Sequence, residues 1–80
     1  MALRRIVNRL REFREMKNLS GYDLQILSKI PAGEIYKIER GLRRPRVYEK
    51  TLLAKALNED ERVLFPQELQ HSSEIMGDIN

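Results

Sequence analysis

The chain has 80 residues, 34% of them charged and 41% hydrophobic, with a formal net charge of +3, one histidine and no cysteine. That length suits one small domain with a modest core and leaves little room for a large substrate cleft, while the lack of cysteine excludes a disulfide framework and a thiolate metal site. No apolar run approaches the roughly 18 residues of a membrane span, and Met1-Ala2-Leu3-Arg4-Arg5 lacks the apolar centre of a signal peptide, so a cytoplasmic location is expected.

In chain order, Leu3, Ile6, Val7, Leu10, Phe13 and Met16 recur at three and four residues and predict one apolar face of a first helix. Asn18 tolerates the left-handed conformation that ends helices, and Ser20 with Asp23 three residues on is a variant capping box that starts a second helix near Gly21. That helix can bury Leu24 and Leu27 and runs out near Lys29. Pro31 suits the first turn of a third helix, spanning roughly Pro31 to Arg40, with Gly41 at the left-handed position beyond its end and Pro45 as a stop. Val47, Leu53, Ala54 and Leu57 predict the buried face of a fourth helix, closed by Asn58. A short fifth helix over Asp60 to Phe65 offers Leu64 and Phe65 to the core before Pro66 halts it. The pattern contains no strand signal, so the expected class is all-α, a five-helix bundle over residues 1–66. Residues 67–80 form an acidic polar tail in which Ile75, Met76 and Ile79 keep helical spacing. They give that tail a means of packing on the domain, on a dimer partner or on another protein.

Charge divides the chain in the same way. Residues 1–57 hold 14 Lys/Arg against 6 Asp/Glu, and residues 58–80 hold 1 against 6. A basic surface attracts phosphate polymers, although a solvated, salt-bridged surface accounts for the same composition.

The third helix carries the chemistry. At about 100° per residue, Ile35 and Ile38 point to one side, Glu39 stands at its margin, and Gly33, Tyr36, Lys37 and Arg40 share the opposite face. A helix of this width enters the DNA major groove, where base edges present distinct donor and acceptor patterns. Lys37 is the best base reader, able to donate to guanine O6 or N7; Tyr36 can hydrogen-bond or pack on a thymine methyl. Gly33 costs about 1 kcal/mol of helix propensity relative to alanine, which suits a close approach of backbone to DNA. Glu34 near the helix start favours the macrodipole. Arg40, Arg43, Arg44 and Arg46 gather at the exit, where cations hold phosphates.

Leu10 to Phe13, Leu19-Ser20, Leu24, Ile30, Ile35, Ile38-Glu39-Arg40-Gly41, Pro45, Ala54-Lys55-Ala56-Leu57 and Leu64-Phe65 together resemble the Xre, Cro and phage-repressor helix-turn-helix family, over roughly residues 3 to 66. The resemblance implies a lambda-repressor-like five-helix bundle whose third helix is the recognition helix, and a homodimer docked on an inverted repeat of double-stranded DNA. The family's base-contacting positions fall on Ala32, Gly33 and Lys37, and its phosphate-binding glutamine falls on Gly21, which keeps only a backbone N–H. Ser20 retains a hydroxyl for phosphate, and Arg40, Arg43, Arg44 and Arg46 match the region that grips the backbone. The family's small alanine between the second and third helices is Gln25 here, and its turn glycine is Lys29. An arginine and a glutamate that pair within the fold correspond to Arg14 and Glu39.

Catalysis finds no support in these residues. His71 lies in the tail beside Ser72 and Ser73, without an oriented base or oxyanion donors. No phosphate loop, paired histidines or calcium-loop spacing occurs, so neither a cofactor nor a metal is expected. The readings left open are a sequence-specific DNA-binding transcriptional regulator and an antitoxin or adaptor that uses the same fold to hold a protein partner. Tyr48, Leu52, Val63 and the tail apolars are the residues on which a dimer can draw.

Overall fold

The computed structural model describes residues 8–66 as five helices, with no strand among the described residues. These are α1 (Leu10–Met16), α2 (Gly21–Ser28), α3 (Ala32–Glu39), α4 (Val47–Leu57) and α5 (Glu61–Leu64). Leu3, Ile6 and Val7, and the tail from residue 67 to 80, lie outside the described residues.

Local chemistry sets most boundaries. α2 opens on a closed capping box: the Asp23 N–H donates to Ser20 Oγ and the Ser20 N–H to Asp23 Oδ2, each at 2.9 Å. Besides α2, which ends on Lys29 (φ 70°), three helices end on a left-handed residue, Asn18 (φ 59°) after α1, Gly41 (φ 76°) after α3 and Asn58 (φ 56°) after α4. In each of these three the N–H beyond it reaches back five residues, Leu19 to Arg14 O, Leu42 to Lys37 O and Glu59 to Ala54 O, which satisfies carbonyls that the helix leaves open.

α1 departs from expectation, because it does not run continuously from Leu3. Asn8 accepts from the Leu10 N–H at 3.0 Å and donates through Nδ2 to Ile38 O at 2.9 Å, and the Arg9 N–H is held by Leu64 O at 2.9 Å. These bonds tie the entry of α1 to α3 and α5 and interrupt any helix arriving from upstream.

The core gathers Leu10, Leu24, Ile30, Ile35, Ile38, Leu53, Ala54, Leu57, Leu64 and Phe65, with Phe13, Leu19, Leu52 and Ala56 packed on its edge. Met16, Leu27 and Val47, expected inside, are exposed. The buried stripe of α2 runs through Gly21, Leu24 and Ser28, leaving Leu27 roughly a quarter turn away. Val47 lies similarly off the α4 stripe of Glu49, Lys50, Leu53, Ala54 and Leu57. Met16 closes a seven-residue helix beyond the reach of the core. No helix among the described residues is long and apolar enough to cross a membrane.

Candidate nucleic-acid interface

α2 and α3 meet through a turn in which Lys29 adopts φ 70°. Its N–H donates to Gln25 O at 2.8 Å, and the buried Ser28 hydroxyl accepts from the Ile30 N–H at 3.2 Å. The Gln25 side chain then reaches across the turn, and its Oε1 accepts from the Ala32 N–H at 2.7 Å. The glutamine therefore satisfies one of the open donors at the start of α3, a role that a small alanine cannot fill. The periodicity of α2 carries no sign of that bond, since it depends on where the next helix begins.

Ile35 and Ile38 anchor α3 in the core, and Gly33, Tyr36, Lys37 and Arg40 are exposed, with Ala32 half-buried beside them. A Cβ at Gly33 would meet nothing within 4 Å, so the outer side of the first turn is open. Lys37 Nζ rests 3.4 Å from Glu34 Oε2 on the same helix and remains largely in solvent.

Two arginines brace the helix. Arg14 Nε donates to Glu39 Oε2 at 2.6 Å and Nη2 to Oε1 at 3.2 Å, with side chains only 10% and 4% exposed. Its Nη1 donates to Leu19 O at 2.8 Å, just before the Ser20 cap. One guanidinium thus joins α1, the entry of α2 and the last turn of α3. The hydrogen bond to Glu39 holds its pKa above the ordinary arginine value. The same guanidinium lies 5.8 Å from the centre of the Tyr36 ring.

At the exit, Arg43 was expected to face phosphate, and the structure turns it inward. Nε donates to Glu34 Oε1 at 2.8 Å, Nη1 and Nη2 each donate to a Glu49 carboxylate oxygen at 2.9 Å, and Nη1 also reaches Arg44 O at 2.9 Å. Its side chain is 23% exposed. Such a guanidinium is engaged by the protein's own carboxylates, and it links α3 through the loop to α4. The bonds from Arg43 hold the Glu49 and Glu34 carboxyls below their ordinary glutamate range, helped at Glu49 by the Arg46 N–H at 2.8 Å and at Glu34 by Lys37. Glu49 occupies the third position of α4, where a carboxylate matches the helix dipole. That spacing from Arg46 is visible in the sequence, but the partner Arg43 is not.

Arg40, Arg44 and Arg46 lie on the surface at this exit, and Arg46 Nη1 comes only to 3.9 Å from Glu49 Oε2. Ser20 is exposed at the start of α2, its hydroxyl oxygen accepting from the Asp23 N–H. Gly21 is buried, and the space where a side chain would start is filled by the Tyr36 ring and hydroxyl. The face so assembled combines an outward helix with a shallow first turn, one lysine at its middle and arginines beyond its end. Among the described residues no group of acidic or histidine side chains could hold a metal ion.

No protein-family model matches the chain, and no curated protein matches it. Among solved structures it is similar to the restriction-modification controller protein C.AhdI from Aeromonas hydrophila, with 38% sequence identity and a TM-score of 0.68. The similarity covers 71% of this chain and 86% of that one.

Proposed function

The chain belongs to the Xre, Cro and phage-repressor type of helix-turn-helix proteins, and on that premise we propose that it is a sequence-specific DNA-binding transcriptional regulator that docks α3 in the major groove as a homodimer on an inverted repeat. The observation that carries the reading is the exposed α3 face bounded at its exit by surface arginines. Lys37 reads base edges from the middle of that face, and the small Ala32 and Gly33 let the first turn approach the groove floor. Arg40, Arg44 and Arg46 grip phosphate on one side and the Ser20 hydroxyl on the other, which fixes the helix in register without carrying sequence information. Arg43 leaves that set and acts by shaping the loop that presents Arg44 and Arg46. The controller role of C.AhdI supports regulation as the use of this binding.

Selection of bound sequences from a random duplex pool at near-physiological salt tests the reading. Enrichment of an inverted repeat with half-sites about 10 bp apart supports a dimeric operator-binding protein. Salt-labile binding without enrichment overturns it in favour of the antitoxin or adaptor reading. On the selected duplex, Lys37→Ala should lose discrimination between sites, whereas Arg46→Ala should weaken all duplexes alike and lower the salt slope by about 1.

A further inference from the structure

The two glycines on this face stand in opposite surroundings. A Cβ built at Gly33 meets open space, whereas one built at Gly21 would overlap the hydroxyl and ring carbons of Tyr36. Gly21 is buried although it opens a helix, and it is not among the residues with positive φ, so its backbone does not require glycine. What a Cβ there would displace is the tyrosine. The ring is also faced by Arg14, which Glu39 and Leu19 O hold in place, so Tyr36 is seated against α2 from two directions.

A helical side chain that leaves such a seat has one other place to go. Long residues on a helix lean back over the turn that precedes them, and for Tyr36 that turn carries Ala32 and Gly33, which leave the surface open. An unseated Tyr36 would therefore lie across the shallow part of the face that Lys37 shares.

Resting on the DNA-binding reading, we propose that Gly21 is a specificity-determining residue that acts through Tyr36: by leaving space on α2 it keeps the tyrosine off the reading face of α3. Tyr36 is then a positioned spectator of base recognition, and the recognition code of this face depends on a residue of the neighbouring helix that reads no base.

The test is duplex selection with the full chain and three variants, Gly21→Ala, Tyr36→Ala and the double variant, together with nuclear Overhauser contacts between the Tyr36 ring and Gly21 in the free protein. Tyr36→Ala should keep the wild-type sequence profile, Gly21→Ala should change preference at one or more base pairs by about ten-fold, and the double variant should return to the wild-type profile. The ring contact should be present in the free wild type. An altered profile in Tyr36→Ala alone, an unchanged one in Gly21→Ala, or a uniform loss in Gly21→Ala that the double variant does not repair would each overturn the proposal. Should Gly21→Ala fold poorly, recovery of both fold and profile in the double variant supports it, and recovery of fold with a changed profile overturns it. A wild type that selects no sequence removes the DNA-binding reading itself and this inference with it, while the wild-type profile with an unchanged Gly21→Ala profile removes only this inference.

Discussion

Arg14 and Arg43 each spend a guanidinium on carboxylates that include one from α3, yet they do so at different depths. Arg14 meets Glu39 with both side chains nearly closed to water, whereas Arg43 divides itself between Glu49, 5% exposed, and Glu34, 38% exposed. The inner pair joins three parts of the fold around the helix-turn-helix, and the outer cluster sets the loop between α3 and α4. A charge at the inner site has no solvent to fall back on if its partner is removed. At the outer site water and a second carboxylate are at hand. The inner arginine should therefore govern whether the domain folds, and the outer one how its cationic loop is shaped.

The sharpest way to break the comparison is to remove one charged partner from each site. Glu39→Ala leaves Arg14 buried without its partner and should cost about 3–5 kcal/mol, a large part of the stability of a domain this small. A thermal midpoint equal to that of wild type would refute the inner role. Arg43→Ala should cost less, about 1–2 kcal/mol, because Glu34 is partly hydrated and the buried Glu49 keeps the Arg46 N–H and the nearby Arg46 guanidinium. In a DNA-binding assay it should weaken all duplexes alike, since the loop that carries Arg44 and Arg46 loses its brace while Lys37 is left in place. A loss of discrimination instead would give Arg43 a part in base reading.

Acid separates the members of the outer cluster. The carboxyls of Glu49 and Glu34 are held below the ordinary value of 4.5 chiefly by the Arg43 hydrogen bonds. The folded state thus binds protons less readily than the unfolded one, so their stabilisation is fully present above about pH 4.5 and is lost as pH falls through the lower folded values. The stability gap between wild type and Glu49→Gln should accordingly be widest near neutrality and close as the pH drops below about 4.5. Urea titrations at several pH values read this directly, and a gap that does not change with pH would show that Glu49 acts by packing alone. Glu34→Gln should show a smaller gap, as expected of the more exposed partner.

The same contrast explains what the sequence discloses. Helix ends were legible because they depend on residues close in sequence: the Ser20–Asp23 box and the left-handed Asn18, Gly41 and Asn58 all stand where local chemistry puts them. The spacing of Ile35, Ile38 and Leu24 likewise marks buried faces. Periodicity has less to say at the rim of a face, and Leu27 and Val47 fall outside because the stripe is set by the helix that covers it. Arg43 was indistinguishable from Arg44 and Arg46 in a run of cations, since its direction is decided by Glu49 and Glu34 from two different helices. Gly21 and Tyr36 are 15 positions apart, and neither betrays the other until α2 and α3 are packed.

The smallest expected effect bears on whether the inner brace and the α2–α3 turn are one device or two. Lys29 holds φ 70° in that turn, a conformation that costs a residue with a Cβ about 1–2 kcal/mol and glycine little. Glycine loses more freedom on folding, by about 0.5–1 kcal/mol, so Lys29→Gly should gain about 0.5–1 kcal/mol net. In a domain of this size that raises the melting midpoint by about 2–8 °C. Arg14 contacts α3 at Glu39 and the entry of α2 through Leu19, and no bond of its own reaches Lys29. If the turn and the brace are independent, the gain from Lys29→Gly should add to the loss from Glu39→Ala within about 0.5 kcal/mol. A larger departure would mean that the Arg14 pair fixes the backbone of the turn as well, and the inner site would then control the crossing of α2 and α3.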